Sequence, residues 1–502
     1  MHSQYFLGID IGTTSVKAVA FSITGEVLFS FSEHYAMYHP AANQSEQKPG
    51  EVYEAVVKSC NSIVGSMKGG APAFVAMSAA MHSIIAIDNW GQCITDCIIW
   101  ADNRAAGIAE ALHKQNKAAS FYKLTGVPVH AMTPLCKLMW LQQNEPLIYM
   151  QASRFIGIKE FVCQKFTGQY LVDSSIASAT GLLNIYSLQW DQSILQQLHL
   201  EADKLSQVVA PGFISHFNQA ENGNPHALQF LIPNGTPLVM GGSDGAMANL
   251  GAGTANGKTM VVTIGTSSAA RMVVNKVELD KDMRTFCYHV NNGLYIIGGP
   301  GNNGAIVLEW LKDKLLQTPD TIESLLSNVE KIDPGSDDLL FLPYILGERA
   351  PLWNSNARGV FFGLDINHTQ PHLVRACMEG VLFGVYSIAK ILLENRNVQG
   401  ISATGGFAQS HLWLQMLADI CDAEIAVSVA AETSALGAVM VGVEALGYQP
   451  FELPAFVAAY RPRADASAKY SRHFHRFTGL YLALKHLWTE PLNKTENAGL
   501  VT

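Results

Sequence analysis

The spacing of apolar and polar positions predicts an α/β protein. Phe6, Leu7 and Ile9 lead into Asp10, the turn Gly12-Thr13-Thr14-Ser15 follows, and Val16 to Phe21 resumes an apolar, β-branched run. Thr24-Gly25 then bends the chain again before Val27 and Leu28. Two apolar runs joined by a short glycine-containing loop predict a hairpin. A helical spacing follows at Val52, Ala55, Val56 and Ile63, and Phe74 to Ser78 reads as a buried strand ending in Ala79-Ala80-Met81-His82-Ser83. Ile84–Ile87 and Ile98–Trp100 read as short strands, the second capped by Ala101-Asp102-Asn103-Arg104, and a helix is predicted over Met132 to Leu141 with Pro134 in its first turn.

The opening design then recurs. Pro237 to Gly242 is a strand that runs into Ser243-Asp244-Gly245, and Thr259 to Ile264, Gly265-Thr266-Ser267-Ser268 and Ala269 to Val274 repeat strand, Gly-Thr turn and strand. Two half-chains that each begin with such a hairpin predict duplicated domains, 1–244 and 245–502, facing one cleft. In the second half Tyr295 to Gly299 is a strand, Pro300 to Gly304 a loop before a helix, and Ile401 to Thr404 a strand ending in Gly405-Gly406. Ala376, Gly380 and Gly384 stand four apart on a predicted helix over His372 to Leu393, a spacing that suits close backbone packing. The stretch from about Leu487 is polar and is expected to fray.

At 502 residues the chain exceeds one compact core, and 48% hydrophobic with 15% charged residues describes a globular protein with large buried sheets. The net charge of -9 and the lack of a Lys/Arg run argue against nucleic acid or an anionic membrane as partner. They also require any phosphate to be held by backbone amides and a metal ion. The eight scattered cysteines read as reduced thiols in a cytoplasmic protein. Residues 1–9 show no signal-peptide pattern, and the apolar stretch Gly380 to Leu393 is too short to span a bilayer.

The chemistry is expected at the strand ends. A Gly-Thr bend presents backbone N–H groups and hydroxyls to an anion, and a carboxylate beside it, Asp10, can hold a cation that the same anion ligates. The plain alternative is an ordinary hairpin with a polar turn. Gly405-Gly406 would let a flat ring lie against backbone, or is simply a tight strand-to-helix turn. Asp244, flanked by glycines at a strand end, is the candidate general base, against the alternative that it caps the following helix. His82, Asp102 and Arg104 suit recognition of a hydroxylated, acidic acceptor. Lys17, on the returning strand, is either a phosphate contact or a surface lysine.

DIGTTSVK at 10–17, EQKP at 46–49, AMHS at 80–83, WADNRA at 100–105, GGSDG at 241–245, TIGTS at 263–267 and ATGG at 403–406 together resemble the FGGY carbohydrate kinases. MTPLCKLMWLQQN at 132–144 and GVFFGLDINHTQPHLVRACMEG at 359–380 resemble the family's longer signatures, with Cys377 a mild departure. SAAMHS at 78–83, WADNRA, IGIKEF at 156–161 and GERAPLWN at 347–354 are most similar to the gluconate kinases within it.

The resemblance implies two ribonuclease H-like, actin-like ATPase domains flanking a central cleft, with MgATP bound mainly by the second. Residue by residue, it implies Asp244 as catalytic base and Asp10 as the Mg²⁺ and phosphate neighbour. Met81 and His82 become sugar contacts, with Asp102 and Arg104 weaker matches because that loop varies with the acceptor. Gly12, Thr13, Thr14 and Lys17 fall on the phosphate side, and Gly265, Thr266, Gly304, Gly405, Gly406 and Gln409 on the nucleotide side. The expected reaction is phosphorylation of D-gluconate by ATP, with His82, Arg104 or Lys159 meeting the acid group. Its rivals are a kinase of another polyol such as xylulose, and a non-catalytic actin- or chaperone-like ATP switch. The switch is disfavoured by Asp244 and by the lack of a long extension after residue 450. A sugar-kinase-derived repressor is disfavoured because strand signals begin at Phe6. The expected partners are small molecules, and a homodimer is compatible with the sequence.

Overall fold

The computed structural model describes residues 4–218, 230–394, 396–428, 432–453 and 456–488. The polar end expected to fray lies, from residue 489 on, outside the described residues. Residues 485–488 form a short 3₁₀ turn.

The chain folds into two compact units that interleave along the sequence. The first comprises Met1–Gly257, Val273–Ile297 and Val429–Ala455, the second Lys258–Met272, Gly298–Ser428 and Phe456–Thr502. The six-stranded sheet of the first unit uses β1 (Tyr5–Ile11), β2 (Ser15–Ser22), β3 (Val27–His34), β4 (Val75–Ala79), β5 (Ile214–His216) and β6 (Pro237–Ser243), in the order β5-β6-β4-β1-β2-β3. β1 pairs antiparallel with β2 and parallel with β4, and β6 runs parallel to β4. A second six-stranded sheet uses β7 (Thr259–Ile264), β8 (Ser268–Val274), β9 (Phe286–Asn291), β10 (Leu294–Gly301), β11 (Gly400–Thr404) and β12 (Ile425–Val427), in the order β9-β10-β8-β7-β11-β12. β7 pairs antiparallel with β8 and parallel with β11. The predicted repeat is therefore real: in each sheet the first hairpin strand has its returning partner on one side and a parallel strand on the other.

Alternation explains how the first sheet is covered. Tyr5, Leu7, Ile9 and Ile11 on β1 join Val52, Val56, Cys60 and Ile63 of α1 (Pro49–Ser66) in one core. Phe6 faces the other way with Phe21, Phe74, Ala76 and Val239. Further along the unit come α2 (Pro134–Asn144), α3 (Ile158–Thr167), α4 (Ser174–Ser178) and α5 (Asp244–Gly251). Thr133 caps α2 through its side chain and Pro134 opens it, as its sequence predicts. The segment at 429–455 contributes α6 (Thr433–Ala445), which lies against α5 and the sheet. Small residues permit that approach: a Cβ on Gly8 would stand 2.8 Å from the Ala435 carbonyl oxygen, and one on Gly437 1.9 Å from that of Met247.

In the second unit the helix Gln370–Leu393 runs 24 residues, beyond the predicted span. The whole helix is, by length and composition alone, long and apolar enough to cross a membrane, although the stretch Gly380 to Leu393 by itself is not. Sixty-seven per cent of its most apolar window is buried, and it holds the buried pair Arg375–Glu379 (2.9 Å), as suits a core helix. A Cβ on Gly380 would meet the Phe341 carbonyl oxygen at 2.4 Å, whereas Gly384 meets only Pro343 at an ordinary 3.8 Å. The expected close packing thus holds at one of the two glycines. All eight cysteines are unpaired.

Candidate active site

β1 delivers Asp10 to the mouth of the first turn, where it stands opposite Lys17 on β2 and Ser78 on β4. The Ser78 hydroxyl donates to Asp10 Oδ1 at 2.5 Å. Burial pushes the Asp10 carboxyl up to about 6, the charge of Asp244 pushes it the same way, and Lys17 opposes. The two carboxylates assigned to metal and base are thus electrostatic neighbours in one unit. Lys17 is not a lone surface lysine: its ammonium lies 2.8 Å from Glu432 Oε2.

The turn itself is held by distant side chains. The Gly12 N–H donates to the Ser15 carbonyl, and the Tyr35 hydroxyl donates to the Gly12 carbonyl at 2.5 Å. Gln47 Nε2 donates to the Thr13 carbonyl, and the Trp100 indole N–H to Thr13 Oγ1 at 2.9 Å. These bonds occupy the acceptors of the bend and leave Thr14 exposed.

Asp244 follows β6, whose pairing with β4 shifts register between Val239 and Gly242. At Gly241 φ is +61°, and a Cβ there would stand 2.1 Å from the Met77 carbonyl oxygen, so only glycine fits this irregularity. Ser243 is the N-cap of α5, its hydroxyl accepting from the Ala246 N–H, and Asp244 is the first helical residue. Capping therefore does not account for Asp244. Its Oδ1 accepts from the Gly245 N–H at 2.6 Å. Behind the strand end Lys159 Nζ donates to the Gly242 carbonyl at 3.1 Å and pairs with Asp173 at 2.7 Å. Lys159 is 2% exposed, so a residue weighed as a partner for the acid group is instead a buried support, its charge answered by Asp173.

His82 follows β4 in a left-handed conformation, φ +70°, and is buried with its ring edge-on to Tyr288. Met81 is half-buried and packs against neighbouring apolar clusters. Asp102 is fully buried: its oxygens accept from the Ser45 N–H (2.7 Å), the Arg104 N–H (3.0 Å) and Arg104 Nε (2.9 Å). Arg104 also reaches Glu46 and stacks over the Trp140 ring at 5.3 Å. Asp102 and Arg104 thus fold their own turn, with Arg104 answered by two carboxylates.

In the second unit the Gly265–Ser268 turn is closed by the Gly265 N–H on the Ser267 carbonyl, leaving Thr266 exposed. The Gly304 N–H donates to the Thr266 carbonyl, and a Cβ on Gly304 would meet the Gly265 and Ser267 carbonyl oxygens, both at 2.5 Å. Gly405, φ +95°, lies against Ile264, where a Cβ would stand 2.6 Å from its carbonyl oxygen. Three glycine turns far apart in sequence are thereby brought together. Beside them is a cavity of about 560 Å³ lined by Ala305, Leu308, Gly406, Phe407, Gln409 and Trp413, among others. Exposed glycine backbone, Gln409 and an apolar wall suit a flat heterocycle.

Among the described residues no cluster of three or more His, Cys, Asp or Glu side chains could hold a metal ion. The donor set does not build a resident metal centre. It fits an Mg²⁺ that arrives with a triphosphate and keeps most of its waters, for which one or two carboxylates are enough.

Several contributors escape a reading of the sequence. Tyr35, Ser78 and Glu432 carry no local signal. Glu348 is buried and accepts from the Asn302 N–H and Asn303 Nδ2, shaping the loop before Gly304. Lys137 had a signal: it is a lysine inside the otherwise apolar run Pro134 to Leu138, all five of which are buried.

Residues 5–251 match the model of the N-terminal domain of the FGGY family of carbohydrate kinases, and residues 260–446 that of the C-terminal domain. The chain is 39% identical to a gluconokinase of Bacillus licheniformis, over 98% of each. A crystal structure of gluconate kinase from Lactobacillus acidophilus superimposes with a TM-score of 0.91 at 31% identity, covering 97% of this chain and 99% of that one. A ligand-bound xylulose kinase from the same organism gives 0.90 at 31%, with the same coverage. The glycine turns, the paired carboxylates at strand ends and these matches lead to one conclusion: the chain belongs to the FGGY family of carbohydrate kinases, with its two ribonuclease H-like domains.

Proposed function

We propose that the protein transfers the γ-phosphoryl group of ATP to the terminal primary hydroxyl of a sugar acid, D-gluconate, giving 6-phospho-D-gluconate. The observation that carries the chemistry is Asp244, a glycine-flanked carboxylate beside Asp10 that helix capping does not require. It takes the hydroxyl proton as the oxygen bonds to the γ-phosphorus and the bond to the β-phosphate oxygen breaks, releasing ADP. Asp10 would hold Mg²⁺, which supplies neutralisation of the charge on the phosphates. Amides of Thr13 and Thr14, in the turn that Gly12 opens, face the phosphates together with Lys17. Gly265, Thr266, Gly304, Gly405, Gly406 and Gln409, on the 245–502 side, take the nucleotide.

Met81 and His82, on the 1–244 side, contact the acceptor, while Asp102 acts through Arg104 and the turn it holds. Likeness to the gluconokinase of B. licheniformis over nearly the whole chain supports a sugar acid. The similar TM-score to a xylulose kinase keeps a neutral ketopentose as the second reading. We place the activity in the cytoplasm, where ATP is available and eight unpaired thiols stay reduced. Coupled ADP release against a panel of sugars and sugar acids tests the acceptor: D-gluconate should give the highest kcat/KM, and preference for xylulose or glycerol overturns this assignment.

A further inference from the structure

We propose that Lys137 is a positioning residue for the acceptor: its buried ammonium clamps the two loops that carry His82 and the Asp102–Arg104 turn, and its charge balances the carboxylates gathered there. The proposal rests on reading those loops as the acceptor side.

Lys137 is completely buried on α2. Its Nζ donates to the carbonyls of His82 (2.6 Å), Ile99 (2.7 Å) and Ile98 (3.3 Å). Three acceptors use all three hydrogens of the ammonium, and a neutral amine would leave one carbonyl unanswered. Among the described residues no carboxylate is hydrogen-bonded to it, and an apolar side chain of similar length would avoid the cost of burying a charge only by taking this donor from three buried carbonyls. Its contacts explain it. One gripped carbonyl belongs to His82, a side-chain-bearing residue in the left-handed region, a conformation that persists where surroundings enforce it. Another, at Ile99, also accepts the Asp102 N–H at 3.1 Å and immediately precedes Trp100, whose indole reaches Thr13. One cation thus ties the end of the β4 segment to the turn holding Asp102 and Arg104.

The charges are also matched. The groups facing Lys137 are Asp102 and Arg104 of the turn, Cys97 of the short strand before it, and Cys136 on its own helix. His82 meets it through its carbonyl, and Glu46 joins through Arg104. Burial pushes both thiols up, Cys97 to about 12 and Cys136 to about 11, so they stay neutral. Two carboxylates, Asp102 and Glu46, then face two cations, Arg104 and Lys137, and the sum is zero. Loss of the Lys137 proton leaves a surplus negative charge beside an acceptor that is itself an anion. Burial pushes the ammonium down to about 7, so this loss falls in the neutral range.

Full-length wild type, Lys137→Met and Lys137→Arg are compared by coupled ADP release with the acceptor that wild type uses best. If wild type phosphorylates no sugar acid, the acceptor class falls while the clamp is still measured on the neutral substrate. Lys137→Met should raise the acceptor KM by about tenfold and leave the ATP KM within about twofold, and Lys137→Arg should recover part of the loss. With a sugar acid, the wild-type acceptor KM should rise between about pH 6 and about pH 8.5, a rise absent from Lys137→Met. A purely structural lysine would lower kcat through an inactive fraction and leave the acceptor KM alone. An unchanged acceptor KM in soluble Lys137→Met overturns the proposal. Should neither variant fold, a flat wild-type profile for a sugar acid overturns it.

Discussion

Asp244→Asn keeps the shape of the side chain and removes its charge and basicity. The folded state should lose little, because Ser243 caps α5 and an asparagine Oδ1 can still accept from the Gly245 N–H. A negative charge in the first helical turn is worth about 0.3–1 kcal/mol, and removing it also relieves the repulsion that Asp10 feels. The urea transition should therefore move by less than about 1 kcal/mol. Catalysis should suffer far more. A positioned general base contributes about 10²–10⁴-fold, or about 3–5 kcal/mol of barrier. Coupled ADP release should show kcat lower by that factor, while titration with ATP gives an affinity within about threefold of wild type. A variant that keeps more than about a tenth of wild-type turnover, or that loses ATP affinity in step with turnover, refutes the assignment of Asp244 as base.

Gly304→Ala places a methyl 2.5 Å from two backbone oxygens, which must move by most of an ångström. Kinetics should show a raised ATP KM with the acceptor KM unchanged, and a stability loss of about 1–3 kcal/mol. Lys159→Met leaves Asp173 buried without its partner and should cost the first unit about 3–5 kcal/mol by chemical denaturation; adding Asp173→Asn should recover much of it. Burial holds the His289 imidazole down at about 4, against about 6.5 when unfolded. The unfolded chain then binds the extra proton between those values, so stability falls as pH drops from about 6.5 to about 4, by up to about 3 kcal/mol, and levels off below. His289→Gln should flatten that part of the stability profile, and an unchanged slope would assign it elsewhere.

Features written in neighbouring residues were legible in the sequence. Both Gly-Thr hairpins, the start of α2 at Thr133-Pro134 and the turn at Gly405-Gly406 follow from local pattern and turn chemistry. The position of Asp244 at a strand end was legible too, although Ser243 rather than Asp244 turned out to cap the helix, a distinction that needs backbone geometry. What stayed hidden depends on register between distant segments. Lys17 looks like a surface lysine until Glu432, 415 residues away, is folded beside it. Asp102 and Lys159 look like ligands for a sugar acid until Ser45, Arg104 and Asp173 are seen to occupy them. The helix Gln370–Leu393 begins two residues before the predicted His372, with Pro371 in its first turn.

The place of α6 has a consequence for the order in which the molecule is made. Gly8 is covered by Ala435, more than 400 residues later in the chain. A growing chain can align β1, β2 and β4 early, but the surface that awaits Ala435 and Gly437 stays wet until residue 437 has emerged. Nascent chains stopped short of residue 433 should therefore expose an apolar sheet face to chaperones, and the first unit should gain its protease resistance late and abruptly.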